Sequence, residues 1–403
     1  MSTRRPAARF ALGVVVTIGL FACAELALRL VRGPVPPPPL VRQMWDPGSV
    51  PFTVSGAQVE ATYQERDLVG PFPAEPSAGV PRVMVFGESS VRGGSYLPAE
   101  QEFPALLQAR ITAAGTPVEV LNLGRVAMDS HSIRVVAEAA VAFRPQVAVF
   151  YNGHNDIGNA YFLARYSSVS SANAAHLRAF FQRFQLYAAL RDAVMPAAQA
   201  GGPGAGPPVS ARPTDAQRAV AEQEYGANLE LAVRAMQAAG AKVLLVTPIS
   251  RDGVYEAQEG VCPELVAPSA WRPAQSGWVL LPRLVGPEVA ATAAEAAPSC
   301  PEARYVRGWW RQAQADFAGG WADLHAARDL DPRPVRASEG ILEAMRAVSA
   351  RTGAGLVDLA RDNEALHAPT TDAWFIDQVH FSAAGHEQVA EAVQPALTAL
   401  LGG

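Results

Sequence analysis

From Arg82 onward, short apolar runs alternate with longer stretches of helical period. The runs at 83–86, 118–123, 147–151, 243–246 and 356–359 have the length and continuous apolar character of strands buried on both faces. Between them the patterning predicts helices over 103–113, 132–143 and 214–239, and a closing helix over 383–401. Strands alternating with helices predict a three-layer α/β/α arrangement around a central parallel sheet, in which chemistry collects at the carboxyl ends of the strands.

Two intervals interrupt the alternation, at about 160–212 and 251–334. The first carries Tyr161, Phe162, Tyr166, Phe180, Phe181, Phe184 and Tyr187 in a helical part and ends in a Gly- and Pro-rich link at 201–208. Core packing is the expected role of these aromatics, ahead of a binding face. In the second, Gly308, Leu324, Ala327 and Pro332 resemble one degenerate tetratricopeptide repeat, too little to build a solenoid.

Before residue 81 the texture differs. Arg4, Arg5 and Arg9 precede a nearly apolar run over 10–24, and counting on to Val31 gives roughly the 20 residues that cross a bilayer. Glu25 and Arg29 lie four apart, where a helix lets them pair. The expectation is a single-pass signal anchor over 1–32, with the arginine-bearing end inside and the remainder extracytoplasmic, in periplasm or at the cell surface. Cleavage after Ala24 and lipidation of Cys23 stand as alternatives. A proline run at 34–39 predicts an extended spacer, and 40–80 reads as irregular cover with at most a short strand. Residues 81–403 form the expected catalytic domain.

Composition narrows the function classes. A 403-residue chain that is 49% hydrophobic can bury one sizeable core with insertions. A net charge of -5, with Lys242 the sole lysine, argues against a nucleic-acid partner. Cys262 and Cys300 lack any metal-ligand spacing, and an oxidising compartment would permit a disulfide between them; two unpaired thiols are the other reading.

Four segments at expected strand ends carry candidate chemistry. Gly87-Glu88-Ser89-Ser90 puts a hydroxyl at a strand's carboxyl edge. Asp377-Gln378-Val379-His380, just before the last helix, supplies a histidine able to face a serine and an aspartate able to fix its tautomer. The Asn122–Ala127 stretch and Gly153-His154-Asn155-Asp156 offer amide and backbone N–H donors for a developing oxyanion.

In this order, the four segments resemble the blocks of the GDSL/SGNH hydrolase family, over roughly 82–401 without the insertions. The resemblance implies a flavodoxin-like fold with helical insertions, Ser89 as nucleophile, His380 as general base and Asp377 as its orienting partner. It also implies an oxyanion hole from Ser89, Ala127 and Asn155, with Gly124 as a lesser candidate for the backbone donor. Two departures stand out. Glu88 occupies a position where the family usually has Asp, and Ala127 aligns with its donor glycine, where a positive φ would cost alanine more than glycine. The implied activity is a serine esterase acting on small acyl esters, O-acetyl groups of envelope polysaccharide or lipid esters. An O-acyltransferase with the same triad and an inactive envelope scaffold are the alternatives.

Of the other histidines, His131, His154 and His386 lie near these motifs, whereas His176, His325 and His367 read as surface or packing residues. No HExxH, GxGxxG or GxxxxGK[ST] pattern is present, so neither metal nor cofactor is inferred. Arg336 is a candidate for holding an anionic substrate group, with surface solvation as its ordinary role.

Overall fold

A computed structural model of the chain describes residues 4–33, 51–62, 71–93, 97–162, 180–181, 183–190, 213–257, 262, 270–274, 277–332, 334–365 and 373–402. The proline spacer, most of the first insertion, His176 and His367 lie outside these residues.

Helix α1 (Arg4–Arg32) is followed by a small antiparallel sheet of β1 (Phe52–Ser55), β2 (Gln58–Ala61) and β3 (Phe72–Pro73). Strands of two to four residues are too short to show a period, which is why this region read as irregular. Phe52 and Phe72 pack edge-on against Phe143 of the main domain. Arg82 fastens the cover more firmly. Its guanidinium is buried, pairs with Glu119 at 2.6 Å, and donates to the carbonyls of Pro73 and Phe143.

The five apolar runs form one sheet: β4 (Arg82–Gly87), β5 (Glu119–Asn122), β6 (Val147–Tyr151), β7 (Lys242–Val246) and β11 (Gly355–Val357). Its order is β11-β7-β6-β4-β5 and every pairing is parallel. Every residue of β4 and β6 is buried, so their apolar runs are continuous. Helix α2 (Phe103–Ala113) packs against the last helix, α11 (Ala383–Gly402). The second helical group is α3 (Ser130–Ala140), α4 (Asp156–Phe162), α5 (Asp215–Ala238) and α9 (Glu339–Thr352). Together the two groups flank the sheet, the α/β fold class that the alternation predicts.

The second insertion builds a separate apolar cluster around Tyr255, Tyr305, Val306 and Leu324. It contains the antiparallel strands β8 (Glu256–Ala257), β9 (Trp271–Ala274) and β10 (Gly277–Leu280), and helices α6 (Pro287–Ala296), α7 (Pro301–Ala313) and α8 (Phe317–Asp329). The repeat-like segment is the α7–α8 pair. Cys262 and Cys300 are joined by a disulfide, with their Cα atoms 6.0 Å apart. A short helix, α10 (Leu359–Ala365), follows β11.

A buried ionic network ties this insertion to the main domain. Arg328 pairs with Asp252 and Glu339, and Arg336 with Asp331 at 3.1 Å and Asp252 at 3.6 Å. The expected surface role of Arg336 is thereby corrected: it is 4% exposed and held by carboxylates of the protein itself. His325 packs on Trp321 beside this network, within the expected packing role.

Helix α1 covers the expected anchor, and Glu25 pairs with Arg29 at 2.6 Å as their spacing predicts. Among the described residues, no helix is long and apolar enough to cross a membrane. Several large apolar side chains of α1 nevertheless face outward, including Val15, Ile18, Leu20, Leu26, Leu30 and Val31.

His386 joins the last helix to the start of α2. Its Nδ1 accepts from the Phe103 backbone N–H at 3.1 Å, and the ring is fully buried. Burial, helped by the nearby charge of His380, lowers its pKa from 6.5 to about 4. A depressed folded-state pKa means that this contribution to stability is present above pH 6.5 and is lost as pH falls toward 4. Urea unfolding is expected to show the wild-type protein losing about 3 kcal/mol over that interval from this group. His386→Gln should show a correspondingly shallower slope, and an identical slope would contradict the assignment.

Candidate active site

The carboxyl end of β4 turns sharply into the serine segment. A Cβ on Gly87 would come within 2.4 Å of the Tyr151 carbonyl oxygen, so only glycine lets this strand end lie against β6. The backbone N–H groups of Val91 and Arg92 donate to the Glu88 carbonyl, forming a turn that leaves Ser89 partly exposed.

Ser89 Oγ lies 2.7 Å from His380 Nε2, and His380 Nδ1 lies 2.6 Å from Asp377 Oδ2. The second carboxylate oxygen of Asp377 accepts the backbone N–H groups of Val379 and His380, which fixes its orientation. Burial works to raise the Asp377 pKa, but hydrogen bonds from the His380 ring and backbone and from Val379 outweigh it and hold the carboxyl below its ordinary value. The loop carrying both residues is braced on each side. Ile376 donates to the His380 carbonyl, Phe381 packs on Phe375 and Tyr151, and Arg251 N–H donates to the Gln378 carbonyl. This last bond brings the edge of the second insertion into the support of the loop.

Glu88 accepts four hydrogen bonds from the neighbouring turn. One carboxylate oxygen accepts from the backbone N–H groups of Gly153 and His154, the other from Asn155 N–H and Asn155 Nδ2. It therefore clamps the Gly153–Asn155 turn to the serine turn, and the methylene beyond Asp lengthens its reach. Burial pushes its pKa up to about 8, against the opposing effect of the hydrogen bonds from His154, Asn155 and Gly153. Gly153 takes φ +136°, open only to glycine, and has Ile341 packed against its α-carbon.

The expected oxyanion donors stand differently. Gly124 N–H donates to Asn122 Oδ1 at 2.9 Å and so is directed into its own turn. Ala127 adopts φ +61°, the strained left-handed conformation anticipated from its place in the glycine's position. Two amides hold this turn: Asn159 Nδ2 donates to the Ala127 carbonyl and Asn155 Nδ2 to the Met128 carbonyl. Asn155 Nδ2 thus directs hydrogen bonds to both Glu88 and Met128, at 2.7 and 3.0 Å. Asn159 escaped the sequence reading, although its position four residues after Asn155 puts both on one helical face.

The nearby histidines serve the scaffold. His154 is buried, its Nδ1 accepts from Ala337 N–H, and burial lowers its pKa to about 3. His131 Nδ1 lies 3.4 Å from Arg134 on α3. Asp156 accepts from Ser130 N–H, and burial raises its pKa to about 8, with the Asp129 charge adding to this. Among the described residues, Cys262, Cys300 and Glu302 place potential metal-ligating atoms within 4.8 Å of one another, but the two sulfurs are bonded to each other.

No protein-family model matches the chain, and no curated protein matches it. Solved structures similar to it include TesA, with 16% identity, a TM-score of 0.38, and 79% of this chain aligned to 99% of that one. The acetylxylan esterase Axe2 from Geobacillus stearothermophilus gives 16% identity and a TM-score of 0.36, covering 77% of this chain and 91% of that one. A lipase/acylhydrolase from Enterococcus faecalis gives 12% and 0.37, covering 79% and 95%. These superpositions are loose, and the chemistry rests on the site's own geometry.

Glu88→Gln places an amide NH2 among N–H donors. It is expected to cost about 2–3 kcal/mol in urea unfolding, the penalty for leaving buried donors unsatisfied. A change below about 0.5 kcal/mol, within the range of an ordinary surface substitution, would show that the clamp is unimportant.

Proposed function

We propose that the chain is a serine esterase of the SGNH type that cleaves acyl esters through an acyl-enzyme on Ser89. The observation that carries this reading is the continuous hydrogen-bonded series Ser89–His380–Asp377, with separations of 2.7 and 2.6 Å. Ser89 Oγ attacks the ester carbonyl while its proton passes to His380 Nε2, and Asp377 stabilises the imidazolium through Nδ1. Collapse of the tetrahedral intermediate breaks the ester C–O bond, and the departing alkoxide takes the proton from His380. Water then attacks the acyl-serine with His380 again as base, releasing the carboxylic acid and restoring Ser89.

The oxyanion is held by the N–H groups of Ser89 and Ala127 and by Asn155 Nδ2. For the last to donate, its 3.0 Å bond to Met128 must yield, since the shorter bond to the Glu88 carboxylate positions the amide. The positive φ of Ala127 supports this role, because a left-handed residue redirects its N–H relative to the neighbouring peptides. Small acyl esters, including O-acetyl groups of envelope polysaccharide and lipid esters, form the proposed substrate class.

The location proposed is extracytoplasmic, with α1 attaching the enzyme to a membrane. Arginines before an apolar run, outward-facing apolar side chains on α1 and the Cys262–Cys300 disulfide all support it.

Ser89→Ala is expected to lower turnover of p-nitrophenyl acetate by about 1,000-fold or more while leaving the unfolding midpoint unchanged. Turnover equal to that of the wild-type protein would remove the assignment.

A further inference from the structure

The segment at 180–190 is docked on α1 by specific polar contacts. Glu25, buried in α1, accepts the backbone N–H groups of Gln185 and Leu186, each at 2.9 Å. Arg29 Nη2 donates to the Arg183 carbonyl, and Gln185 Nε2 to the Gly33 carbonyl. A carboxylate inside an otherwise apolar stretch is thus satisfied by a segment more than 150 residues away.

One helical turn from Glu25, about 6 Å toward the amino end, Phe21 meets Phe184 edge-on with ring centroids 5.2 Å apart. Phe180 packs on Phe184 at 5.3 Å and on Phe181 at 5.5 Å. Phe180 and Phe181 are nevertheless 51% and 42% exposed, and Leu190 is 64% exposed. Ile18 and Leu20, close to Phe21 along α1, are exposed as well. On the other side of Glu25 along α1 lie Arg29 and Arg32, and Arg29 holds the carbonyl of the exposed Arg183.

Aromatic rings one turn deeper than a cluster of arginines match the layering of a bilayer interface, where aromatics sit at headgroup level and guanidinium groups reach to the phosphates. We propose that 180–190 is a lipid-facing clasp: Phe180 and Phe181 enter the interfacial layer of a phospholipid bilayer beside α1. This proposal rests on the membrane-attachment reading above, and although Arg29 is paired with Glu25, the charges of the exposed Arg32 and Arg183 complement anionic phosphates and favour lipid over a protein occupant.

The test uses the full chain in phosphatidylcholine/phosphatidylglycerol vesicles, with nitroxide labels on single cysteines in a Cys23→Ala background. Labels go at Phe181→Cys on the clasp, Leu20→Cys on α1 and Glu60→Cys on the exposed β2 hairpin. The expected result is that Phe181→Cys and Leu20→Cys collide several-fold more with oxygen than with a water-soluble nickel chelate, and Glu60→Cys the reverse. If the Leu20 position alone favours oxygen, the helix is in lipid and the clasp proposal is overturned. Exclusion of both reagents at Phe181 also overturns it, because a protein surface then covers the rings. A Leu20 position as accessible to nickel as Glu60 sinks the attachment reading itself.

Discussion

The site depends on one buried carboxylate. Glu88 sits between the ends of β4 and β6 and accepts from the backbone of Gly153, His154 and Asn155 as well as from the Asn155 side chain. Turns at the ends of neighbouring strands leave N–H groups that the sheet ladder does not use, and a carboxyl group with two oxygens can accept several at once. Binding the two turns through one residue fixes the serine relative to the amide at the opposite rim.

From that clamp the remaining geometry extends outward. The sheet presents Ser89 at the β4 edge, while the loop before α11 brings His380 to it across 291 positions of sequence. That loop is held from three directions: by Asp377 accepting its own backbone N–H groups, by Phe381 in the core, and by Arg251 from the edge of the second insertion. The Arg328–Asp252–Arg336 network anchors the insertion to the same part of the fold. Breaking one partner of such buried pairs leaves an uncompensated charge, so loss of any one member of this network is strongly destabilising.

Much of the fold was legible because it follows from period and burial. The run at 147–151 forms β6 with the same boundaries, and the other apolar runs shift by one or two residues. Strands buried on both faces must be apolar throughout, a local and strong signal. The cover over 51–73 was not legible, since its strands are too short for alternation to register. The meeting of Ser89, His380 and Asp377 was legible through residue type and order, whereas the partners of Glu88 were not. Nothing local to Glu88 tells that its acceptors face a turn some 65 residues on, and the burial of Arg336 depends likewise on Asp252 and Asp331 brought in by the fold. Ala127 is intermediate: its strain was anticipated from alignment with a glycine, but Asn159 and Asn155, which hold the strained turn, came from the structure.

The proposed chemistry requires Ser89 to be an activated nucleophile, with His380 as its base. The most direct measurement is fluorophosphonate labelling of the folded protein, with the modified peptide identified by mass spectrometry. An activated Ser89 gives a single adduct that is lost in His380→Ala; no adduct on folded wild-type protein, or one equally strong in that variant, would rule this role out.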